Sequence, residues 1–374
     1  MLRLRATLSR FINYTPLRSL MQRLLGYSKT VEMLTHPHAV AGLESIETSI
    51  PAHDISIRDP HVLALLAHSP HYGSGVYRQR QVFAARLRGA RVHFPSGAVL
   101  TRDNTVIVES ALDSYRLKQT GIFGARRTPP VRLPGTMTTI WYRLSEGYYH
   151  WLLDSLTRLA ALPSDTPLTL LLPNPATPLQ EASLRLFLPE SVTVMRVDPG
   201  VYEPDLLLMP SFLINKNSAW LPPTLAKPLR ERVFSRLELT PDVPGTRRLY
   251  ISRGDAPKRR LLNEAEIIAY LSARGFEIVL GSTLSFEDQV RLFHDADIVV
   301  GAHGAGLSNL LFASPQTRVL ELFGTDYSLT WYSLLAHSLG QKYRFAISDS
   351  PVGRHDDFIV GLEAVRAVFD GEGW

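Results

Sequence analysis

"DADIVVGAHGAGLSNLLF", residues 295–312, decides the fold. The apolar run Ile298–Val300 has the composition of a buried strand. It stops at Gly301, and Gly304 and Gly306 follow with His303 between them, before a second apolar run. A strand that ends in a glycine loop and opens a helix is a unit of parallel α/β sheets. Glycine lets the backbone approach a ligand closely. Free amides at a helix start favour an anion, typically a phosphate. The spacing is G-x-x-G-x-G, which differs from the dinucleotide fingerprint, and the loop follows the third strand of its domain instead of the first. Both points weigh against a nicotinamide cofactor. A tight turn without a ligand stays open as the plainer reading. His303 is then structural; otherwise it donates to a phosphate oxygen.

The same alternation extends outward on both sides. Ahead of the loop, "RLYIS" reads as a strand and "NEAEIIAYLSARG" as a helix, with Asn263 as cap, Glu266 closing a capping box and Gly275 after its end. "FEIVL" is a strand and "SFEDQVRLFHDA" a helix capped by Ser285. Beyond the loop, "RVLEL" and "KYRFAI" are strands around the helix "TWYSLLAHSLG", and "DDFIVGLEAVRAVFD" is a closing helix. Nearer the start, short β-type runs from Val76 to Val108, broken by "PSG" and "RDN", read as a β-meander. "RRTPPVRLPG" (126–135) reads as a connector. Strand–helix alternation then resumes with the strand "TMTTIWY" and the helix "GYYHWLLDSLTRLAAL". Residues 32–70 have no clear pattern. The expected organisation is a basic segment 1–31, an N-terminal domain 32–240 containing the meander 76–108, and a C-terminal domain 241–374. Two α/β domains then face a cleft, with ligands at the carboxyl ends of the strands.

Composition narrows the function. The 374 residues suffice for two domains, with 45% hydrophobic content. There is no Cys, so disulfides, thiolate metal sites and a Cys nucleophile are excluded. Six of the 40 basic residues are Lys and 34 are Arg, whose forks suit phosphate or carboxylate. The net charge is +5, and residues 1–31 hold six cations (Arg3, Arg5, Arg10, Arg18, Arg23 and Lys29) with no acid. The remainder is near neutral, which argues against a nucleic-acid binder with a broad basic face. Leu17, Leu20, Met21, Leu24 and Leu25 repeat at helical spacing beside these cations, so the segment is read either as a membrane-surface helix or as a helix packed on the body. No stretch reaches transmembrane length.

Two further constellations carry chemistry. In "YISRGDAPKRRLLNE" (250–264), Arg253 stands at a strand end, and Lys258, Arg259 and Arg260 follow on a loop, a cluster suited to a diphosphate. A solvated basic loop is the plainer reading. Glu321, inside an apolar strand, is a candidate for a ribose diol or else an outward position. In "EGYYHWLLD" (146–154), His150 and Asp154 are one helical turn apart, the arrangement of a base and its orienter or of a surface hydrogen bond. No metal-ligand spacing lies nearby, and there is no GxSxG elbow.

Taken in order, "YYHWLLDSLTRL", "YISRGDAPKRRLLNEAEI" and "GFEIVLGSTLSFEDQVRLFHDADIVVGAHGAGLSNLLFASPQTRVLELF" resemble glycosyltransferase family 61. The resemblance spans about residues 75–345 and is strongest in 247–324. It implies a GT-B fold of two Rossmann-like domains and inverting transfer without an essential metal or other cofactor. The donor is a nucleotide-sugar and the acceptor a surface glycan of the capsule or lipopolysaccharide type. By position, Arg253, Lys258, Arg259 and the loop Gly301, His303, Gly304, Ala305 and Gly306 hold the diphosphate. Glu321 lies near the nucleoside, and His150 and Asp154 line the acceptor side. Gly324 stands where the family usually has proline. A cytoplasmic protein, in peripheral contact with the inner face of the plasma membrane, fits this reading. The rival functions are a non-catalytic nucleotide-sugar or phosphate-binding module and a sugar-nucleotide oxidoreductase.

Overall fold

The computed structural model describes residues 30–67, 75–112, 122, 128–163, 166–215, 218–324, 330–348 and 356–374. The expected basic helix, residues 126–127 of the connector and the path directly after Gly324 lie outside the described residues. The fold is mixed α/β. Among the described residues no helix is long and apolar enough to cross a membrane.

Strands β1 (Thr30–Val31) to β12 (Gly200–Pro210) belong to the first half. In chain order the others are β2 (Leu43–Ile50), β3 (His53–Ser56), β4 (Val76–Gln79), β5 (Val82–Leu87), β6 (Arg91–Phe94), β7 (Ala98–Leu100), β8 (Val106–Ile107), β9 (Val131–Thr138), β10 (Leu168–Pro173) and β11 (Val192–Val197). β3 and β4 form a two-stranded antiparallel sheet, and the others join one sheet seamed by β12. On one side of β12 the order β9-β10-β11 is parallel. On the other side β5 and β6 pair antiparallel, and the meander continues into β7 and β8. The expected Rossmann-like N-terminal domain is therefore only the parallel part of a mixed sheet, and the meander is an extension of that sheet.

β9 differs from its expected span. It begins at Val131, inside the expected connector, and ends at Thr138, so Trp141 and Tyr142 lie on the loop beyond it. Pro134 and Gly135 are accommodated because β12 carries an irregularity between Pro204 and Leu206, where Asp205 accepts the Gly135 N–H at 2.8 Å. The helix expected over "GYYHWLLDSLTRLAAL" is split into a wide piece and a tight one. His150–Ser155 is π-helical and Leu156–Ala161 is 3-10. Residues 32–67, unplaced from sequence, supply β2 and the helix Pro60–Leu66, whose Asp59 side chain caps two backbone N–H groups.

The second half is more regular. β13 (Arg247–Ile251), β14 (Glu277–Val279), β15 (Ala296–Ala302), β16 (Arg318–Phe323) and β17 (Lys342–Ile347) form a wholly parallel sheet in the order β14-β13-β15-β16-β17. β15 is buried at every position except Asp297, as a central strand must be. The order reverses between β13 and β15, and the crevice at their carboxyl ends is where such sheets bind ligands. The helix Pro60–Leu66 of the first half packs against β17. One continuous apolar core joins the two sheets. At the joint, Phe187, Phe286 and Phe312 meet with centroids 5.8–6.5 Å apart.

Candidate active site

At the switch point, Ile251 of β13 pairs with Gly301 of β15, so Arg253 and His303 leave the sheet at the same edge. Glu264 holds the turn after β13. One of its carboxylate oxygens accepts from Tyr250 Oη and Ser252 Oγ at 3.0 Å and from the Arg253 backbone N–H at 3.1 Å. The expected capping box is not formed. Asn263 instead donates to Glu266 and to the Val360 carbonyl, tying the turn to the C-terminal segment. Ser285 caps its helix as expected.

The Arg253 fork is held by its own loop, donating to the carbonyls of Lys258 at 2.8 Å and Arg259 at 3.2 Å. It lies against Gly304, where a Cβ would stand 1.9 Å from Nη1. Burial lowers the Arg253 pKa, and Arg259 lowers it further. Lys258 is exposed and Arg259 half-buried, and the same two arginines depress His303. Arg260, by contrast, turns away into a fork with Asp357. The glycine loop opens the 3-10 helix Ala305–Phe312.

His303 and Glu321 lie deeper than the sequence reading had them. Glu321 is fully buried, one oxygen 2.6 Å from His303 Nδ1 and the other accepting from Tyr343 Oη at 2.6 Å. The His303 side chain is 3% exposed, stacked on Phe323 and flanked by Trp331 and Tyr332. Both carboxylate oxygens of Glu321 are engaged inside the protein, so its place is that of an orienter of His303 and not of a ribose contact. Burial lowers the His303 pKa, against the pull of Glu321. With its Nδ1–H donating to Glu321, a neutral ring presents an acceptor at Nε2.

The second constellation forms at the carboxyl end of β9. His150 Nδ1 is 2.6 Å from Asp154 Oδ2 and 2.8 Å from Tyr142 Oη, and Tyr142 also donates to Asp154. Asp154 is 2% exposed and His150 25%, so only the imidazole reaches the surface. Arg158, one turn further, is buried beneath. It donates to the Pro210 carbonyl at 2.6 Å and lies over Phe212 at 4.3 Å. Burial lowers its pKa to about 9, while Tyr142 and Asp154 counter the fall. Tyr142 and Arg158 escaped the sequence reading. Tyr142 had no signal, because it sat inside an expected strand. Arg158 had one in the spacing of 150, 154 and 158.

Aromatic rings join the two constellations. Tyr149 meets His150 edge-on at 5.1 Å, stacks on Trp331 at 4.8 Å and touches Tyr332 at 6.1 Å. Trp331 and Tyr332 are the rings that flank His303. A single wall thus runs from the imidazole of His150 to the edge where Arg253 stands. Among the described residues no group of three His, Asp or Glu is placed to hold a metal ion.

Residues 148–320 match the Glycosyltransferase 61 family. A β-1,2-xylosyltransferase of Arabidopsis thaliana is 31% identical over 103 residues, 24% of this chain and 19% of the relative. An EGF domain-specific O-linked N-acetylglucosamine transferase of Pan troglodytes is 33% identical over 109 residues, 27% of this chain and 21% of the relative. The matched stretch spans about a fifth of the length of these curated relatives. The match begins at Tyr148, beside His150, and ends at Leu320, one residue before Glu321, so it takes in His150, Asp154, Arg253 and the glycine loop. The chain therefore carries a glycosyltransferase 61 domain, from the turn of His150 to the strand beyond the glycine loop.

Proposed function

We propose that the protein is an inverting glycosyltransferase with a GT-B arrangement of acceptor and donor sides. The observation that carries the reading is the pairing of His150 with buried Asp154 on the aromatic wall that leads to Arg253. Asp154 accepts the hydrogen bond from Nδ1–H and leaves Nε2 of His150 as the base. His150 removes the proton of an acceptor hydroxyl, whose oxygen attacks the anomeric carbon from the face opposite the leaving group. The bond from that carbon to the diphosphate oxygen breaks, and the diphosphate departs with the electron pair. Arg253, Lys258, Arg259 and the backbone amides of Gly304, Ala305 and Gly306 stabilise its charge. Asp154 is too buried to meet an acceptor, which supports His150 as the base. His303 and Glu321 support the loop from below.

The donor is a nucleotide-sugar, used without metal. The acceptor class we propose is a surface glycan of the capsule or lipopolysaccharide type, met at the inner face of the plasma membrane with help from residues 1–29. The matched relatives are plant and animal proteins, and one is named for EGF domains, so the acceptor panel includes both oligosaccharides and a folded EGF domain. The test begins with thermal shift against nucleotide-sugars, since a ligand that binds the folded state raises Tm. Transfer to the panel and the anomeric configuration of the product follow. Donor binding without transfer or hydrolysis would make the protein a binding module, and a retained configuration would remove the in-line displacement.

A further inference from the structure

Between the turn that carries His150 and the glycine loop stands one buried amide. Asn309 is 1% exposed. Its Oδ1 accepts from Tyr148 Oη at 2.6 Å. Its Nδ2 donates to the Gly306 carbonyl at 3.1 Å and to Gln289 Oε1 at 2.9 Å. Gln289 in turn donates to the Gly281 carbonyl at 3.2 Å. These partners fix which way the amide points. A flipped Asn309 would set its oxygen against the Gly306 carbonyl, acceptor against acceptor. Tyr148 lies two residues before His150, and Gly306 closes the glycine loop. Asn309 therefore bonds both sides of the reacting centre at once.

The aromatic wall alone does not give this register. Stacked rings slide at little cost, whereas hydrogen bonds lose strength steeply as their angles open. A reaction between a base on one side and a leaving group on the other is sensitive to displacements of about 1 Å, which cost on the order of 10²-fold. We propose that Asn309 is a positioning residue that holds the His150 turn in register with the glycine loop. The inference rests on the transferase reading for its consequence, but the coupling itself is a property of the fold and is measurable without activity.

Two variants separate the two faces of the amide. Tyr148→Phe removes the bond to the His150 turn and leaves Gly306 held. Asn309→Asp keeps an acceptor for Tyr148 and removes the donor to Gly306. In hydrogen-exchange mass spectrometry of the full chain, Tyr148→Phe speeds exchange in peptides covering 148–155, and Asn309→Asp in those covering 301–312. Asn309→Ala speeds both. In steady-state turnover with the nucleotide-sugar chosen by thermal shift, Tyr148→Phe lowers kcat about tenfold with donor KM within about twofold. Asn309→Asp raises donor KM about fivefold, the effect on loop order of losing the bonds that Nδ2 donates to Gly306 and Gln289. Exchange in Asn309→Ala that rises only in 301–312 overturns the coupling. So do kinetics in which kcat and KM follow the loss of Tm together in both variants, the pattern of a merely structural side chain. Coupled exchange in a chain that turns over no donor supports the clasp and sinks the transferase reading instead.

Discussion

The Nη1 of Arg253 and the α-carbon of Gly304 exclude any side chain between them, since a Cβ on Gly304 would stand 1.9 Å from that nitrogen. The backbone at Gly304 is extended, with φ −177°, so alanine brings no backbone strain. The cost falls on the Arg253 fork, a flexible group that can be pushed aside. Gly304→Ala is therefore expected to keep Tm within a few degrees and to weaken nucleoside diphosphate binding by roughly 2 kcal/mol, the scale of a charge-assisted hydrogen bond. Calorimetric titration with UDP and GDP measures this. Unchanged affinity would mean that the displaced fork was never in the site.

Arg253→Ala removes the same fork directly and is expected to cost a similar roughly 2 to 3 kcal/mol of diphosphate affinity. Arg253→Lys recovers only part, because one ammonium cannot reproduce a fork held by two carbonyls. Chelator in the same titration should change nothing if the cations and amides alone neutralise the diphosphate. Affinity that collapses with chelator and returns with magnesium would assign a metal to the site.

On the acceptor side, His150→Ala is expected to cut turnover by roughly 10² or more while UDP affinity stays constant. Tyr142→Phe, which removes the hydroxyl that contacts both His150 and Asp154, should lose about tenfold, and its larger share should appear in kcat. A His150→Ala enzyme that transfers at the parent rate would send the search for the base to another residue on the same wall.

Stability should respond to pH with a defined sign. Burial lowers the pKa of His303, His93 and His337 below their ordinary 6.5. Below about pH 6.5 the unfolded chain takes up protons on these rings that the folded chain refuses, so stability falls as the solution is acidified and is fully present above that value. Thermal melts at pH 7.5 and 5.5 should show a lower Tm at the acid end. His303→Gln, which removes one of the three rings, should shrink the difference. A Tm that is flat or rises on acidification would contradict histidines held neutral in the fold.

Six cations without an acid precede β1, beside leucines at helical spacing. Deleting residues 1–29 stops short of β1, which pairs with β8, so the fold should survive. Sedimentation with anionic vesicles should be lower for the shortened chain, and the difference should vanish at high salt. Equal sedimentation at low salt would place the leucine stripe against the protein body.

Much of the second half was legible from sequence because its signals are local. An apolar run of strand length, a Ser cap at 285 and a glycine after the helix at 275 each act over a few residues, and together they specify successive βα units. The glycine loop and Arg253 were readable for the same reason, since each stands directly after a strand. What needed the tertiary structure were pairings across long separations. The β9 span depended on Asp205 of β12 receiving the Gly135 amide. Glu321 read as a ribose contact or an outward position, and the structure engages both its oxygens with His303 and Tyr343. Tyr142 joined His150 only because its strand stops early and the chain folds back over a π-helical turn, and Tyr148 met Asn309 across 161 residues. Periodicity and capping report the free energy of neighbouring residues. The partners of a buried polar group are set by which distant elements the core brings together, and no local pattern encodes that choice.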